Sequence, residues 1–188
     1  GMAILMLLVN PLCAWLTLAS FVGYAIIYTG WLKRATPQNI VIGGLSGAMP
    51  PLLGWTAVTG TVEPGGLLLV LIIFAWTPPH FWPLAIHRKN DYAKTNIPML
   101  PVTHGEALTK LHTLLYTIIM LVVSVMPYLT GMSGVFYLMS ALVLGAGFLY
   151  HSINLMVTER PQAAMQTFRF SIIYLIALFI VLLIDHYL

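Results

Sequence analysis

Charge is what this sequence has least of: eight basic and five acidic side chains stand among 188 residues. Ordinary soluble domains carry charge at about a quarter of their positions, so 7% charged with 60% hydrophobic residues excludes that class. Acids are scarcest, and Asp91 is the only one between Glu63 and Glu106. Cysteine occurs once, as Cys13 in an apolar run, which excludes an intramolecular disulfide and makes it a small packing hydrophobe. No basic patch with interleaved aromatics exists, so nucleic acid is not an expected partner. The opening residues have no basic segment and no small-residue cleavage site, which excludes a secretory signal. Met2 to Val9 supplies eight apolar side chains before Asn10-Pro11 breaks the run, against the roughly 20 needed to span a bilayer. They read as the tail of a helix that begins upstream. The chain is therefore expected to be one transmembrane domain over residues 1–188, incomplete at its N-terminus.

What is present is hydrophobic length. Six apolar spans follow one another, at about 12–32, 39–58, 67–86, 107–126, 135–157 and 168–184, and predict an all-α polytopic helix bundle in a lipid bilayer. Pro50-Pro51 must interrupt the second span, and Gly43-x-x-x-Gly47 before it invites close helix approach. Thr103-x-x-Glu106 reads as a capping box that opens the fourth span. All eight basic residues, Lys33, Arg34, Arg88, Lys89, Lys94, Lys110, Arg160 and Arg169, fall on alternate connections. The positive-inside rule then places the 33–38, 88–106 and 158–167 loops in the cytoplasm, and the expected location is the cell inner membrane.

Most of that charge gathers around Trp76 to Glu106, where an apolar run ends. If the run stays helical, His80, Leu84, His87 and Asp91 lie within roughly 60° of one face, over about 16 Å of axis. His80 is then deep in the bilayer and Asp91 at its surface. Each of these residues has a bland and a functional reading. Asp91 either pairs with Arg88 or Lys94 in the loop, or is a hard oxygen ligand for Mg²⁺ beside cations that hold phosphate. His80 is either a satisfied core histidine or an intramembrane functional group. Trp76, Phe81, Trp82 and Tyr92 form an interfacial belt or, at depth, stabilise a carbocation through their faces. Lys33 and Arg34 are topology determinants or part of the site. His80 and His87, on one helix face, cannot ligate opposite sides of one haem iron.

Several longer motifs occur in order. Lys33-Arg34-x-Thr36-Pro37-Gln38-Asn39-Ile40-Val41-Ile42-Gly43-Gly44 is followed by Ser46-Gly47-Ala48-x-Pro50-Pro51-x-x-Gly54-Trp55. Trp76-x-Pro78-Pro79-His80-Phe81-Trp82, Asp91-Tyr92 and Ile97-Pro98-Met99-Leu100-Pro101-Val102 come next. Together they resemble the protohaem IX farnesyltransferase (haem O synthase) family of UbiA-type intramembrane prenyltransferases. The likeness in motif covers residues 24–105, and the last three spans match mainly in hydropathy and length.

The resemblance implies about the last six of nine helices plus the stub of a third. The family's first acidic motif has no counterpart here, and its second, D-x-x-x-D, falls on His87-x-x-x-Asp91 with only the second acid present, which implies that this chain alone is inactive. The implied reaction transfers farnesyl from farnesyl diphosphate to a vinyl group of haem b, with water adding to give haem O. Asp91 is then the Mg²⁺ ligand, Lys33, Arg88 and Lys94 hold the diphosphate, and His80 lies near the haem. A haem A synthase or a terminal oxidase assembly is the implied protein partner. The alternatives are a related enzyme acting on a quinone-type aromatic acceptor, or a non-enzymatic haem-handling membrane subunit.

Overall fold

The structure, a computed structural model, describes residues 1–94 and 97–188. Among the described residues, six helices are long and apolar enough to cross a membrane: α1 (Pro11–Ala35), α2 (Asn39–Thr59), α3 (Pro64–His87), α4 (Gly105–Leu129), α5 (Val135–Val157) and α6 (Gln162–His186). Among the described residues there is no strand. The chain is a multi-pass, all-α membrane protein, as the six apolar runs predict.

Asn10-Pro11 does break the opening run. Asn10 is extended, its side chain accepts from the Cys13 backbone N–H at 2.8 Å, and Pro11 occupies the first turn, where a missing N–H costs nothing. Its Nδ2 donates to the Thr56 carbonyl at 2.8 Å, which ties the start of α1 to the end of α2. The second half of α1, Gly23–Leu32, is wound as a π-helix. In α2 the ladder lapses after Gly47 and resumes at Pro50, the interruption expected of two adjacent prolines.

Helices α3 to α6 form a closed ring of four, each packed on the next and α6 back on α3. Ile72, Met120, Tyr137, Phe148, Tyr174 and Leu178 fill its middle. In lipid, apolar burial alone does not hold helices together, and short hydrogen bonds cross this core. Thr117 meets Ser152 at 2.8 Å, Ser124 meets Tyr174 at 2.6 Å, and the Tyr137 hydroxyl donates to the Ser124 carbonyl at 2.9 Å. At the end away from the basic residues, the Asp185 carboxylate of α6 accepts from the N–H groups of Gly134 (2.6 Å) and Tyr137 (3.1 Å) and so caps α5. At the opposite end Lys110 Nζ donates to the Thr158 carbonyl at 3.2 Å. The beginning of α4 and the end of α5 thus share one side, in keeping with the alternation of charge.

Four local expectations are corrected. Thr103 does not cap α4: it ends a short helix, Leu100–Thr103, and its hydroxyl contacts the Met99 carbonyl at 3.2 Å and His104 Nδ1 at 2.8 Å. Gly105, at φ 84°, turns the chain between them, a conformation open to glycine, and Glu106 pairs instead with Lys89 at 3.0 Å. The His80-to-Asp91 face is also not continuous. Helix α3 survives Pro78, Pro79 and Pro83 but ends at His87, and Arg88 leaves the helical region before a separate helix, Lys89–Lys94, carries Asp91. The Gly43-x-x-x-Gly47 pair does not act as a pair: Gly43 receives the Tyr28 ring, whereas nothing approaches Gly47, and the second close contact is at Gly44, against Thr77. Finally, helix α6 starts at Gln162, so most of the expected 158–167 loop is helical.

Candidate active site

A cavity of about 390 Å³ lies between α1, α2 and α3, with Tyr92, Ile97 and Met99 also on its walls. Its walls follow from the local sequence. The π-helical part of α1 brings Tyr24 and Tyr28, glycines of α2 make a floor without side chains, and α3 contributes Trp76, Thr77 and Phe81. Lys33, Asn39 and Tyr92 close it toward the basic end. The missing side chains at Gly43 and Gly44 admit the Tyr28 ring and Thr77 against the α2 backbone. A Cβ on Gly44 would lie 2.9 Å from Thr77 Cγ2. A second hollow of about 400 Å³, lined by Leu67, Leu68, Leu71 and Met126 among others, contains no charged residue. A cavity with aromatic walls and a cationic mouth suits an apolar chain attached to an anionic head; the second hollow lacks the mouth.

The residues expected from sequence are distributed unevenly around this space. Lys33 is on the wall. Asp91, Arg88 and Lys94 are exposed and do not line it, but the helix that carries Asp91 and Lys94 also places Tyr92 on the wall. His80 is 7% exposed and sits one layer back. Its ring stacks on Trp76 at 4.0 Å between centroids and on Phe168 of α6 at 4.7 Å, with Phe81 edge-on at 4.8 Å. Its Nδ1 meets Ser171 Oγ at 2.7 Å, and Trp76 Nε1 donates to the Ser171 carbonyl at 2.8 Å. The aromatics divide between roles: Trp76, Phe81 and Tyr92 line the cavity, while Trp82 is fully buried with Ile40, Met99 and Leu100.

Asn39 was legible only as part of a motif. It is 1% exposed, its Nδ2 donates to the Lys33 carbonyl at 3.0 Å, and its Oδ1 has no partner. A polar residue opening an apolar span reads as a boundary, and nothing in the sequence marks this one as buried. Among the described residues no three His, Cys, Asp or Glu side chains converge as a metal site. The donors nearest the mouth are of the right kind for Mg²⁺ all the same. That ion prefers hard oxygen, takes as few as one or two carboxylates, and completes its shell with phosphate oxygens and water. The orphaned Asn39 carbonyl oxygen, on the wall with Lys33, is such a donor, and Asp91 is a carboxylate on the helix that places Tyr92 on the same wall.

The UbiA prenyltransferase family matches residues 1–183. The chain belongs to that family. Among curated relatives of this UbiA chain, the protoheme IX farnesyltransferases of Teredinibacter turnerae, Saccharophagus degradans and Stutzerimonas stutzeri are 65%, 66% and 68% identical over 188 residues. All of the chain is covered, and 60%, 62% and 63% of the three relatives. It thus spans about three-fifths of their length. No solved structure matches it.

Proposed function

We propose that the protein transfers a farnesyl group from farnesyl diphosphate to a vinyl group of haem b, diphosphate leaving and water adding at the carbon next to the new bond, giving haem O. The observation that carries this reading is the identity of 65–68% along the whole chain to relatives named for that activity. The cavity supports it by its chemistry. Lys33, on the cavity wall, would hold the diphosphate head, with Arg88 and Lys94 on the nearby connection as further cations. Bound Mg²⁺, held by Asp91, would supply charge neutralisation at the departing diphosphate. Lys33 offsets the same charge from the wall. Asn39, tied to the Lys33 carbonyl, fixes the backbone from which that lysine extends. Trp76, Phe81 and the tyrosines line the cavity, and an aromatic wall would favour an allylic cation and keep water from it until the vinyl carbons attack. His80, behind Trp76 and Phe81, is on the acceptor side.

The basic connections face the cytoplasm in this reading, and the membrane is the inner one, where an oxidase assembly or a haem A synthase would receive the product. Expression of the complete reading frame in a host lacking its own enzyme, followed by analysis of extracted haems and quinones, tests the proposal. Farnesylated haem is the expected result. A prenylated quinone-type ring without it would favour a different acceptor. Bound haem with no prenylated product would leave only a haem-handling role.

A further inference from the structure

Three hydrogen bonds converge on Ser171, a fully buried residue of α6 that lines neither cavity. Its carbonyl accepts from Trp76 Nε1 at 2.8 Å, its Oγ lies 2.7 Å from His80 Nδ1, and the same Oγ donates to the Phe168 carbonyl at 2.6 Å. With its one hydroxyl proton committed to Phe168, Ser171 Oγ accepts from His80, so the imidazole is held by its Nδ1–H. Trp76 and Phe168 both stack on this ring, at 4.0 Å and 4.7 Å between centroids, and therefore take its opposite faces. An indole can pivot about its side-chain bonds. Here one bond holds the Nε1 edge of Trp76 and the imidazole backs one of its faces, which together fix the plane of the ring. Trp76 is also a wall of the cavity between α1, α2 and α3. What it offers there is its free face or an edge, at an angle set from α6.

We infer that Ser171 is a positioning residue for Trp76: through its carbonyl, and through His80, it holds the indole at the angle from which the ring stabilises the farnesyl cation and shields it from water. This rests on the farnesyl-transfer reading above. Among aromatic side chains Trp attracts a cation most strongly, and the attraction acts over the face of the ring, so a tilt weakens it. A tilted indole also opens the wall to water. Once the bond from farnesyl to the diphosphate oxygen has broken, with diphosphate taking the electron pair, the cation has two fates. Attack by a vinyl carbon of haem b forms the new carbon–carbon bond. Attack by water forms farnesyl alcohol, releases a proton to solvent and leaves the haem unchanged. Ser171 biases the outcome toward the first without touching either substrate.

The test is the ratio of farnesyl alcohol to farnesylated haem formed by the purified full-length protein from farnesyl diphosphate and haem b. Both products come from the same folded molecules, so a loss of stability alone does not move the ratio. Ser171→Ala, which cuts the link to His80, should raise it about tenfold, and Ser171→Thr, which keeps the hydroxyl, should restore the wild-type value. His80→Phe also cuts the link but leaves a ring behind the indole, and should match Ser171→Ala. His80→Ala removes the ring as well and should raise the ratio by up to about 100-fold. A wild-type ratio in Ser171→Ala overturns the inference. So does a His80→Phe variant as impaired as His80→Ala, since the imidazole nitrogens would then matter rather than the backing of Trp76. If Ser171→Ala does not fold, the comparison of the two His80 variants decides. A wild type that leaves haem b unmodified overturns the underlying farnesyl-transfer reading instead.

Discussion

Asn39 and Lys33 face each other across the corner between α1 and α2: the Asn39 amide donates to the Lys33 carbonyl at 3.0 Å, and both residues line the cavity. The cation is thereby anchored by its backbone while its side chain remains on the wall. Replacing Asn39 with Ala removes a buried hydrogen bond worth about 1 kcal/mol and loosens the corner. The expected result is an increase of about tenfold in KM for farnesyl diphosphate with a smaller change in KM for haem, measured on the full-length enzyme. Equal changes for both substrates would argue against a link to the diphosphate end.

Asp91→Asn keeps the shape of the side chain and removes the charge that would meet Mg²⁺. An exposed residue on a short helix contributes little to stability, whereas a hard-metal site depends on its carboxylate. Turnover should fall by at least about 100-fold, with an unchanged melting temperature in detergent. Near-normal activity would leave Asp91 as an ordinary loop acid.

Asp185 supplies the contrasting case. Its carboxylate caps α5 through Gly134 and Tyr137, at the end of the bundle away from the cavity. Asp185→Ala should cost about 1–2 kcal/mol of stability, the usual loss for a helix N-cap, and lower the melting temperature. Activity per folded molecule should stay at the wild-type level. A selective loss of activity without loss of stability would contradict a purely structural role.

Gly43 and Gly44 test the cavity itself. A methyl group at Gly43 meets the Tyr28 ring, and one at Gly44 meets Thr77 Cγ2 at 2.9 Å. Gly43→Ala should therefore push Tyr28 out of position, destabilise by about 1–3 kcal/mol as overpacking does, and reduce binding of farnesyl diphosphate. Gly54→Ala, whose added methyl no atom approaches within 4 Å and which does not line the cavity, should be tolerated. Titration of the purified variants with a non-hydrolysable farnesyl diphosphate analogue distinguishes them.

The fold was readable because lipid demands long apolar helices, and six such runs with basic residues on alternate connections leave little freedom. The site was readable only where a residue type is out of place in that setting. His80 inside a span and Asp91 among cations announced themselves. Their spatial relationship did not, since the continuity of a helix past Arg88 is decided by backbone geometry that periodicity does not report. Likewise Thr103 and Glu106 have the spacing of a capping box, yet Gly105 turns the chain between them. Asn39 and Ser171 passed unnoticed because a single amide or hydroxyl in a helix is common, and only packing reveals that one orders a lysine and the other a histidine.

The most direct measurement is mass spectrometry of haem recovered after the purified full-length protein, in detergent with Mg²⁺, is incubated with haem b and farnesyl diphosphate. The account predicts haem carrying one farnesyl group, formed by the wild type and lost both in Asp91→Asn and when the metal is chelated. Unmodified haem from a folded wild type that prenylates an aromatic ring under the same conditions would contradict it.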